Sequence, residues 1–215
     1  HLSADGHIVC IHDKTTKRTA GVNLTVAKTT LADLRKLDVG SWKDAKFKGE
    51  RIATLDEVLA VVPEGKRIFI ELKTGPDIVP PLVKTLSQMS LKPEQMCVIA
   101  FNADTIAACK KALPHIEAHW LTGYKQDKET GAWSPTIDSI MSTLRRIKAD
   151  GLDTNAHETI DAAFVRRLRD AGLAFHCWTV NDVEVARRFR ALGVDSITTD
   201  RPGWLRERLD HGNGD

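Results

Sequence analysis

The chain has 215 residues, and its 31 basic and 29 acidic residues give a formal net charge of +2. Hydrophobic residues make up 42% of the chain and charged residues 28%, which is typical of a globular domain and excludes an intrinsically disordered protein. The balanced charge provides no global attraction to nucleic acid or to anionic membranes, and no apolar run approaches the ~20 residues that span a bilayer.

Short apolar segments alternate with amphipathic patterns along the chain. The apolar segments predict strands at residues 7–12, 67–73, 96–101, 116–121, 151–154, 174–180 and 195–199. The amphipathic patterns and their capping residues predict helices at residues 30–37, 55–62, 77–89, 103–113, 134–149, 161–171 and 182–192. Because strand and helix alternate from about residue 54 onwards, the sequence predicts a parallel α/β fold.

Two parallel layouts compete, an open doubly wound sheet and a (β/α)8 barrel of the TIM type. The glycine-rich nucleotide-binding motifs of open sheets, GxGxxG and GxxxxGK[ST], do not occur in the sequence. Polar residues cluster where the predicted strands end, and barrels carry their chemistry at that edge, so the sequence favours the barrel. Only six strands follow the strand-helix rhythm, and we expect the first strands of the eight to be absent from this chain.

The domain organisation follows from this rhythm. We expect one barrel domain over residues 1–215, incomplete at its N-terminus, with a small insertion at about residues 14–51, where the sequence is polar and contains three glycines. The cysteines form no CxxC pair and most lie in apolar runs, so buried free thiols are favoured over a disulfide or a zinc site at Cys10, Cys97, Cys109 and Cys177.

The segment IFIELK, residues 68–73, ends an apolar strand with two charged residues. Glu71 and Lys73 are two residues apart, so their side chains point to the same face of the strand. One interpretation is a local salt bridge. The other is a carboxylate that binds a hard cation such as Mg²⁺ or Ca²⁺, beside a lysine that holds an anion.

Two further residues are candidates for a site. His12 follows an apolar run and precedes Asp13 and a polar stretch, so it lies where solvent reaches it, and an imidazole there can give or take a proton at neutral pH. Trp178 lies in the predicted strand 174–180 and is either a core residue or the wall of a ligand pocket at the barrel mouth.

Together these segments resemble the glycerophosphodiester phosphodiesterase family. The resemblance extends in order from residue 5 to residue 202 over the segments DGHIVCIHD, RTAG, LRKLDVGSW, IATLDEVL, IFIELK, VIAFN, FHCWTVN and ITTDRP. It implies a (β/α)8 barrel with a small insertion. It also implies an enzyme that cleaves a glycerophosphodiester into glycerol 3-phosphate and an alcohol, using two histidines and one divalent cation, Mg²⁺ or Ca²⁺.

Residue by residue, the resemblance implies four roles. His12 matches the second catalytic histidine, Glu71 a metal ligand, Lys73 a catalytic lysine near the substrate phosphate, and Trp178 a residue of the substrate pocket. The family's His-Arg-Gly strand, Pro-Glu-Asn-Thr segment and Glu-x-Asp strand do not occur in this sequence. We therefore expect the first histidine and two of the three metal ligands to lie outside it, and the full catalytic set to be present only in a longer parent protein.

Other functions stay open at this point. The same architecture serves phospholipase D-like and phosphoinositide phospholipase C-like enzymes, which need an interfacial surface. Lys73 could instead form a Schiff base, although the neighbouring Glu71 favours a charged ammonium group. The chain could also be a non-catalytic fragment that binds a phosphate ester.

The expected partner is a small-molecule glycerophosphodiester. We expect no nucleic acid, because arginines on the outer helices of a barrel are usually solvated, and no stable membrane insertion. We expect a soluble protein, for which cytoplasmic and periplasmic or secreted locations both remain open, as does the oligomeric state.

Overall fold

The computed structural model describes residues 1–210, and a six-stranded parallel sheet lies at its centre. In chain order the strands are β1 (Ile68–Glu71), β2 (Met96–Ala100), β3 (Glu117–Thr122), β4 (Lys125–Gln126), β5 (Trp133–Ser134), β6 (Gly151–Asn155), β7 (Ala174–Trp178) and β8 (Ser196–Ile197). The sheet order is β1-β2-β3-β6-β7-β8, and β4 and β5 form a separate antiparallel hairpin. The strand order never reverses, as it would in a doubly wound sheet.

The sheet is strongly curved. The ring centroids of Phe69 on β1 and His176 on β7 are 5.3 Å apart. These strands are separated by four strand spacings, which a flat sheet would extend over about 19 Å. The first strand therefore faces the fifth across an interior, and the strands form the wall of a TIM-type barrel. The predicted fold class is confirmed, with six strands within residues 1–210 where a closed barrel has eight.

Helices cover the outer face of this wall and also form part of the segment predicted as an insertion. Their bounds are α1 (Lys17–Ala20), α2 (Leu31–Leu34), α3 (Leu55–Leu59), α4 (Val79–Leu86), α5 (Ala103–Ala112), α6 (Ile137–Ile147), α7 (Ala162–Asp170), α8 (Val183–Leu192) and α9 (Pro202–Asp210). Helices α5 to α8 each begin after a capping residue, whose side-chain oxygen accepts a hydrogen bond from the backbone N–H three residues later. The four capping residues are Asn102, Thr136, Asp161 and Asp182. Within residues 1–210 no helix has the length and apolar composition needed to cross a membrane.

The prediction of a strand at residues 7–12 is wrong. The chain reverses at Gly6, whose φ of 81° is in the left-handed region, and Ile8 and Val9 form only isolated bridges, to Leu2 and Thr54. Single bridges on two sides do not make a ladder, so the segment is a loop although Ile8 and Val9 are buried. Its Cys10 is consequently exposed, whereas the other three cysteines are buried free thiols.

The segment predicted as an insertion has a small core of its own. Val9, Val26, Leu34 and Ile52 form a hydrophobic cluster that is separate from the main core. Helices α1 and α2 and two short 3-10 turns surround it. Between β3 and α6 the chain forms the β4–β5 hairpin.

A buried ionic cluster fills the barrel interior. The ring of His119 on β3 is fully buried. Its Nε2 atom lies 2.7 Å from Glu117 Oε1, and its Nδ1 atom lies 3.0 Å from Asp153 Oδ1 on β6. His176 stacks on this ring with centroids 4.8 Å apart and an interplanar angle of 22°. With a carboxylate at each nitrogen, His119 is a doubly donating imidazolium.

The electrostatics of the cluster agree with that assignment. Burial alone would lower the pKa of His119, but the hydrogen-bonded carboxylates of Asp153 and Glu117 outweigh it and raise the pKa to about 11. The hydrogen bond from His119 lowers the pKa of Glu117 to about 2. Burial lowers the pKa of His176, so the cationic ring rests on a neutral one. The interior therefore contains a proton that the folded state holds far more tightly than the unfolded chain does.

Removing one carboxylate from this cluster should destabilise the fold. Asp153→Asn leaves the buried His119 cation with one anionic partner, and we expect a loss of about 3 kcal/mol in the free energy of unfolding, measured by urea denaturation at pH 7. The control is Asp138→Asn, which breaks an ion pair with Arg167 in which the Asp138 side chain is 81% exposed, and it should cost at most about 1 kcal/mol. Equal effects of the two substitutions would contradict the assignment.

The same cluster predicts an alkaline loss of stability. The folded pKa of His119 is about 11 against an ordinary value of 6.5, so its stabilisation is complete below pH 6.5 and declines as the pH rises towards 11. The slope for one such group reaches about 1.4 kcal/mol per pH unit. Urea denaturation between pH 7 and pH 10 should therefore show a steeper loss for the wild type than for Asp153→Asn, and parallel curves would contradict this.

Candidate active site

A cavity of about 800 Å³ opens at the carboxyl end of β1. The residues following β1 and β2, namely Leu72–Gly75 and Phe101–Asn102, form one side, and the N-terminal loop forms the other with His12, Asp13 and Lys14. Three of the four residues singled out in the sequence, His12, Glu71 and Lys73, line this cavity.

Lys73 connects the two sides of the cavity. Glu71 is the last residue of β1 and Lys73 follows two residues later on the same face, as the strand alternation predicts. The ammonium Nζ of Lys73 lies 2.8 Å from Glu71 Oε1 and 3.2 Å from His12 Nε2. The ammonium group of Lys73 therefore forms the salt bridge with Glu71 and contacts His12 at the same time.

The hydrogen bonds of His12 define its protonation. An ammonium group can only donate, so Nε2 accepts the hydrogen bond from Lys73. Nδ1 lies 2.8 Å from Asp13 Oδ1 and carries the proton that it donates there. The imidazole is thus neutral, and the single lone pair of Nε2 is occupied by the Lys73 ammonium group at the edge of the cavity. Its side chain is 71% exposed, which leaves room for a ligand beside it.

Asp13 is itself held by Arg18 of α1. Arg18 Nε donates to Asp13 Oδ2 at 2.7 Å and Nη2 donates to Oδ1 at 3.2 Å. Hydrogen bonds from Arg18 and then His12 lower the pKa of Asp13 to about 2. Asp13 therefore stays ionised at neutral pH and fixes the ring orientation of His12.

Trp178 lies one residue away from the cavity. It ends β7, and its ring makes an edge contact with Phe101, with centroids 5.7 Å apart. Phe101 lines the cavity and is 52% exposed, whereas Trp178 lies behind it. The Trp178 Nε1 atom is buried and has no hydrogen-bond partner within residues 1–210.

Two groups of residues contain side chains of the kinds that bind metal ions. Within residues 1–210 the carboxylates that line the cavity are Glu71 and Asp13, and both oxygens of Asp13 are engaged by Arg18 and His12. A cation held by one carboxylate, waters and substrate phosphate oxygens is an ordinary Mg²⁺ site, so Glu71 fits that role. The interior group of His119, Asp153 and His176 does not, because both nitrogens of His119 are already bonded to carboxylates.

The sequence does not identify three residues of the site. Asp13 indicates only that His12 lies near solvent, and Arg18 is one residue of the segment RTAG. Phe101 lay within VIAFN, where an apolar residue at a strand end resembles core. The adjacent carboxylate in the His12-Asp13 pair was an available signal for an orienting partner, but no sequence spacing indicates that Arg18 returns to it.

Comparison with known proteins identifies the family of the chain. A family model described as the glycerophosphoryl diester phosphodiesterase family matches residues 1–204. A glycerophosphodiester phosphodiesterase of Caldanaerobacter subterraneus subsp. tengcongensis is 31% identical over 209 residues, which are 95% of this chain and 81% of the relative. A glycerophosphodiester phosphodiesterase of Bacillus subtilis is 27% identical over 218 residues, covering 94% of this chain and 71% of that protein.

Solved structures agree in fold. A phosphodiesterase of Oleispira antarctica, determined in complex with the product sn-glycerol-3-phosphate, superposes with a TM-score of 0.82 and 25% identity, covering 97% of this chain and 82% of that one. A glycerophosphodiester phosphodiesterase of Parabacteroides distasonis superposes with a TM-score of 0.79 and 23% identity over 100% of this chain and 82% of that one. The chain belongs to the glycerophosphoryl diester phosphodiesterase family, a family of phosphodiester hydrolases.

Proposed function

We propose that this protein hydrolyses a glycerophosphodiester to glycerol 3-phosphate and an alcohol with the help of one divalent cation, Mg²⁺ or Ca²⁺. The observation that carries the proposal is the convergence of His12, Lys73 and Glu71 in one cavity at the carboxyl end of β1. A relative of the same fold, the Oleispira antarctica phosphodiesterase, binds sn-glycerol-3-phosphate as its product, which supports the substrate class.

His12 acts as the acid/base group in this proposal. When the Lys73 ammonium group turns from Nε2 to the substrate phosphate, the neutral ring can take a proton from the attacking group at Nε2, and Asp13 stabilises the imidazolium that forms. The attacking group is water or a neighbouring glycerol hydroxyl of the substrate. Because Asp13 is tied to Arg18, the ring does not need to reorient when it takes up the proton.

Lys73 and Glu71 bind different charged groups in this proposal. Lys73 holds a phosphoryl oxygen and stabilises the negative charge that develops on it. Glu71 holds the cation, which when bound supplies Lewis-acid polarisation of the phosphoryl group. A Schiff-base role for Lys73 is disfavoured, because a nucleophilic amine needs a free lone pair and Lys73 Nζ is engaged with both Glu71 and His12.

Phe101 and Trp178 form the apolar wall of the cavity in this proposal. Phe101 faces the cavity and Trp178 supports its ring from behind. Such a wall suits the carbon skeleton of the glycerol or alcohol part of the substrate, while the charged residues on the opposite side suit the phosphate.

Substitution of His12 should abolish most of the turnover. In the full-length protein His12→Ala should lower kcat for glycerophosphocholine by roughly 10²–10⁴-fold, the scale of a lost acid/base group. Asp13→Ala should lower kcat less, because His12 keeps Nε2 and loses only its orientation. The control is His7→Gln, which changes a histidine of the same loop that does not line the cavity and should leave kcat unchanged. An active His12→Ala variant would assign His12 to structure.

Substitution of Glu71 should act through the cation. Glu71→Gln removes a charge but preserves the shape, so Mg²⁺ or Ca²⁺ affinity measured by calorimetry should fall by roughly 10- to 100-fold. Activity should partly recover at high cation concentration. Asp33→Asn, a change of an exposed carboxylate paired with Lys36, is the matched control and should leave cation affinity unchanged. If Glu71→Gln left the cation affinity unchanged, Glu71 would not be a metal ligand and would only form a salt bridge with Lys73.

Substitution of Lys73 should act on the substrate instead. Lys73→Ala should lower kcat/KM for the phosphodiester by roughly 10²–10³-fold, since it removes one charge-stabilising donor, and added cation should not restore it. Cation affinity should stay close to that of the wild type. Rescue of Lys73→Ala by Mg²⁺ or Ca²⁺ would contradict the separate roles proposed for the two residues.

A further inference from the structure

The charge of the chain is unevenly distributed. Residues 14–51 carry ten Lys and Arg residues and four Asp and Glu residues, a net charge of +6. The rest of the chain carries 21 basic and 25 acidic residues, a net charge of −4. The overall value of +2 therefore hides a basic segment attached to an acidic barrel, and the catalytic proposal uses only Arg18 of its ten cations.

The most basic part of this segment is a tightly organised loop. We call residues 41–48, with the sequence SWKDAKFK, the basic aromatic loop. The Asp38 carboxylate binds both ends of it, accepting hydrogen bonds from Gly40 and Ser41 on one side and from Gly49 on the other, at 2.7–3.0 Å. A side chain at Gly40 would collide with the Phe47 carbonyl oxygen, so the two ends of the loop are in direct contact.

This loop exposes two aromatic rings. Trp42 is 50% exposed and Phe47 is 38% exposed, in a chain that buries most of its large apolar residues. Trp42 Nε1 donates to the carbonyl oxygen of Val39 at 2.9 Å, so its only polar group is already satisfied within the protein. The exposed face of the indole ring can therefore enter an apolar medium without leaving a donor unpaired.

Cations surround the two rings. Arg18 and Lys43 lie 5.3 and 5.9 Å from the centre of the Trp42 ring, and Lys46 lies 4.9 Å from that of Phe47. Within residues 1–210 the three lysines of the loop, Lys43, Lys46 and Lys48, form no salt bridge. Their charge is therefore available to an external anion.

The loop also lies beside the candidate active site. Arg18 contacts the Trp42 ring on one side and the Asp13 carboxylate on the other, and Asp13 lines the cavity. A surface that touched Trp42 would therefore be one side chain away from the cavity wall.

We propose that the basic aromatic loop docks the protein on the surface of an anionic phospholipid bilayer, with the Trp42 and Phe47 rings entering the interface and the three lysines contacting the head groups. The combination of an aromatic pair with flanking lysines matches the chemistry of that interface, where amphipathic rings and basic side chains are both stabilised. Docking of this kind is peripheral and requires no membrane-spanning segment.

A nucleic acid would also attract the lysines, but the aromatic residues favour the bilayer. Single-stranded nucleic acid is bound along a groove with successive stacking rings, whereas Trp42 and Phe47 belong to one short projecting loop. The proposal is also independent of the catalytic one, because bilayer binding is measured without turnover.

The test is co-sedimentation of the full-length protein with vesicles. Sucrose-loaded phosphatidylcholine vesicles with roughly 30% phosphatidylglycerol should bind the wild type at about 0.1 M NaCl, more weakly at about 0.5 M NaCl, and pure phosphatidylcholine vesicles should bind it far less. The triple variant Lys43→Gln, Lys46→Gln, Lys48→Gln should bind the anionic vesicles on the order of 10- to 100-fold more weakly. Trp42→Ala with Phe47→Ala should weaken binding on the order of tenfold at unchanged charge.

The matched control places the same charge change elsewhere. Lys66→Gln, Lys84→Gln, Lys111→Gln removes three exposed lysines outside the loop, which form no salt bridge within the described part of the chain, and it should bind vesicles like the wild type. Both triple variants should hydrolyse glycerophosphocholine, a water-soluble substrate, at the wild-type rate, and their circular dichroism and thermal melting should match the wild type.

Three results would overturn the proposal. The first is vesicle binding by the double aromatic variant equal to that of the wild type, which would reduce the effect to charge alone. The second is an equal loss in the control triple variant, which would make it non-specific. The third is tight binding of a single-stranded oligonucleotide together with no binding of anionic vesicles, which would assign the loop to nucleic acid.

Discussion

The curvature of the parallel sheet is the constraint on which the rest of the structure depends. It brings β1 against β7 across an interior only wide enough for side chains, as the 5.3 Å separation of the Phe69 and His176 rings shows. The polar side chains of His119, Asp153 and His176 are buried there, and burial favours the pairing of His119 on β3 with Asp153 on β6. Curvature also gathers the carboxyl ends of the strands around one opening, which is where the candidate active site lies.

The interior is divided into layers by the two-residue period of the strands. On β1, Phe69 and Glu71 point to the same face, and Phe69 packs on the rings of His119 and His176 below. Phe69 therefore separates the buried ionic cluster from Glu71 at the mouth. The lower layer holds its proton permanently at neutral pH, since its histidine is flanked by two carboxylates. In the upper layer, Nε2 of His12 accepts only from the Lys73 ammonium group, and the ring is exposed to solvent. The buried histidine and the histidine of the candidate active site therefore lie in different layers.

The sequence allowed prediction of those features that depend on local periodicity. The six sheet strands, the helices after them and the shared face of Glu71 and Lys73 follow from spacing alone. The pairing of His119 with Asp153 depends on how β3 and β6 are aligned in the sheet, and no local pattern contains that register. The prediction of a strand at residues 7–12 is wrong for a related reason. The apolar residues of this loop are buried by contacts with the insertion and with Thr54 rather than by a strand ladder.

Arg18 contacts both the candidate active site and the basic aromatic loop, and the strengths of these contacts decide which of them positions its side chain. Its two charge-assisted hydrogen bonds to Asp13, at 2.7 and 3.2 Å, form a bidentate pair, whereas its contact with the exposed Trp42 ring is a cation–π interaction at 5.3 Å. The bidentate pair is the stronger and more directional of the two. The indole nitrogen of Trp42 in turn donates a hydrogen bond to the carbonyl oxygen of Val39, which lies just before the loop. Arg18 is therefore held by Asp13, and the Trp42 ring is held by Val39. The surface of the loop can change while His12 keeps its orientation.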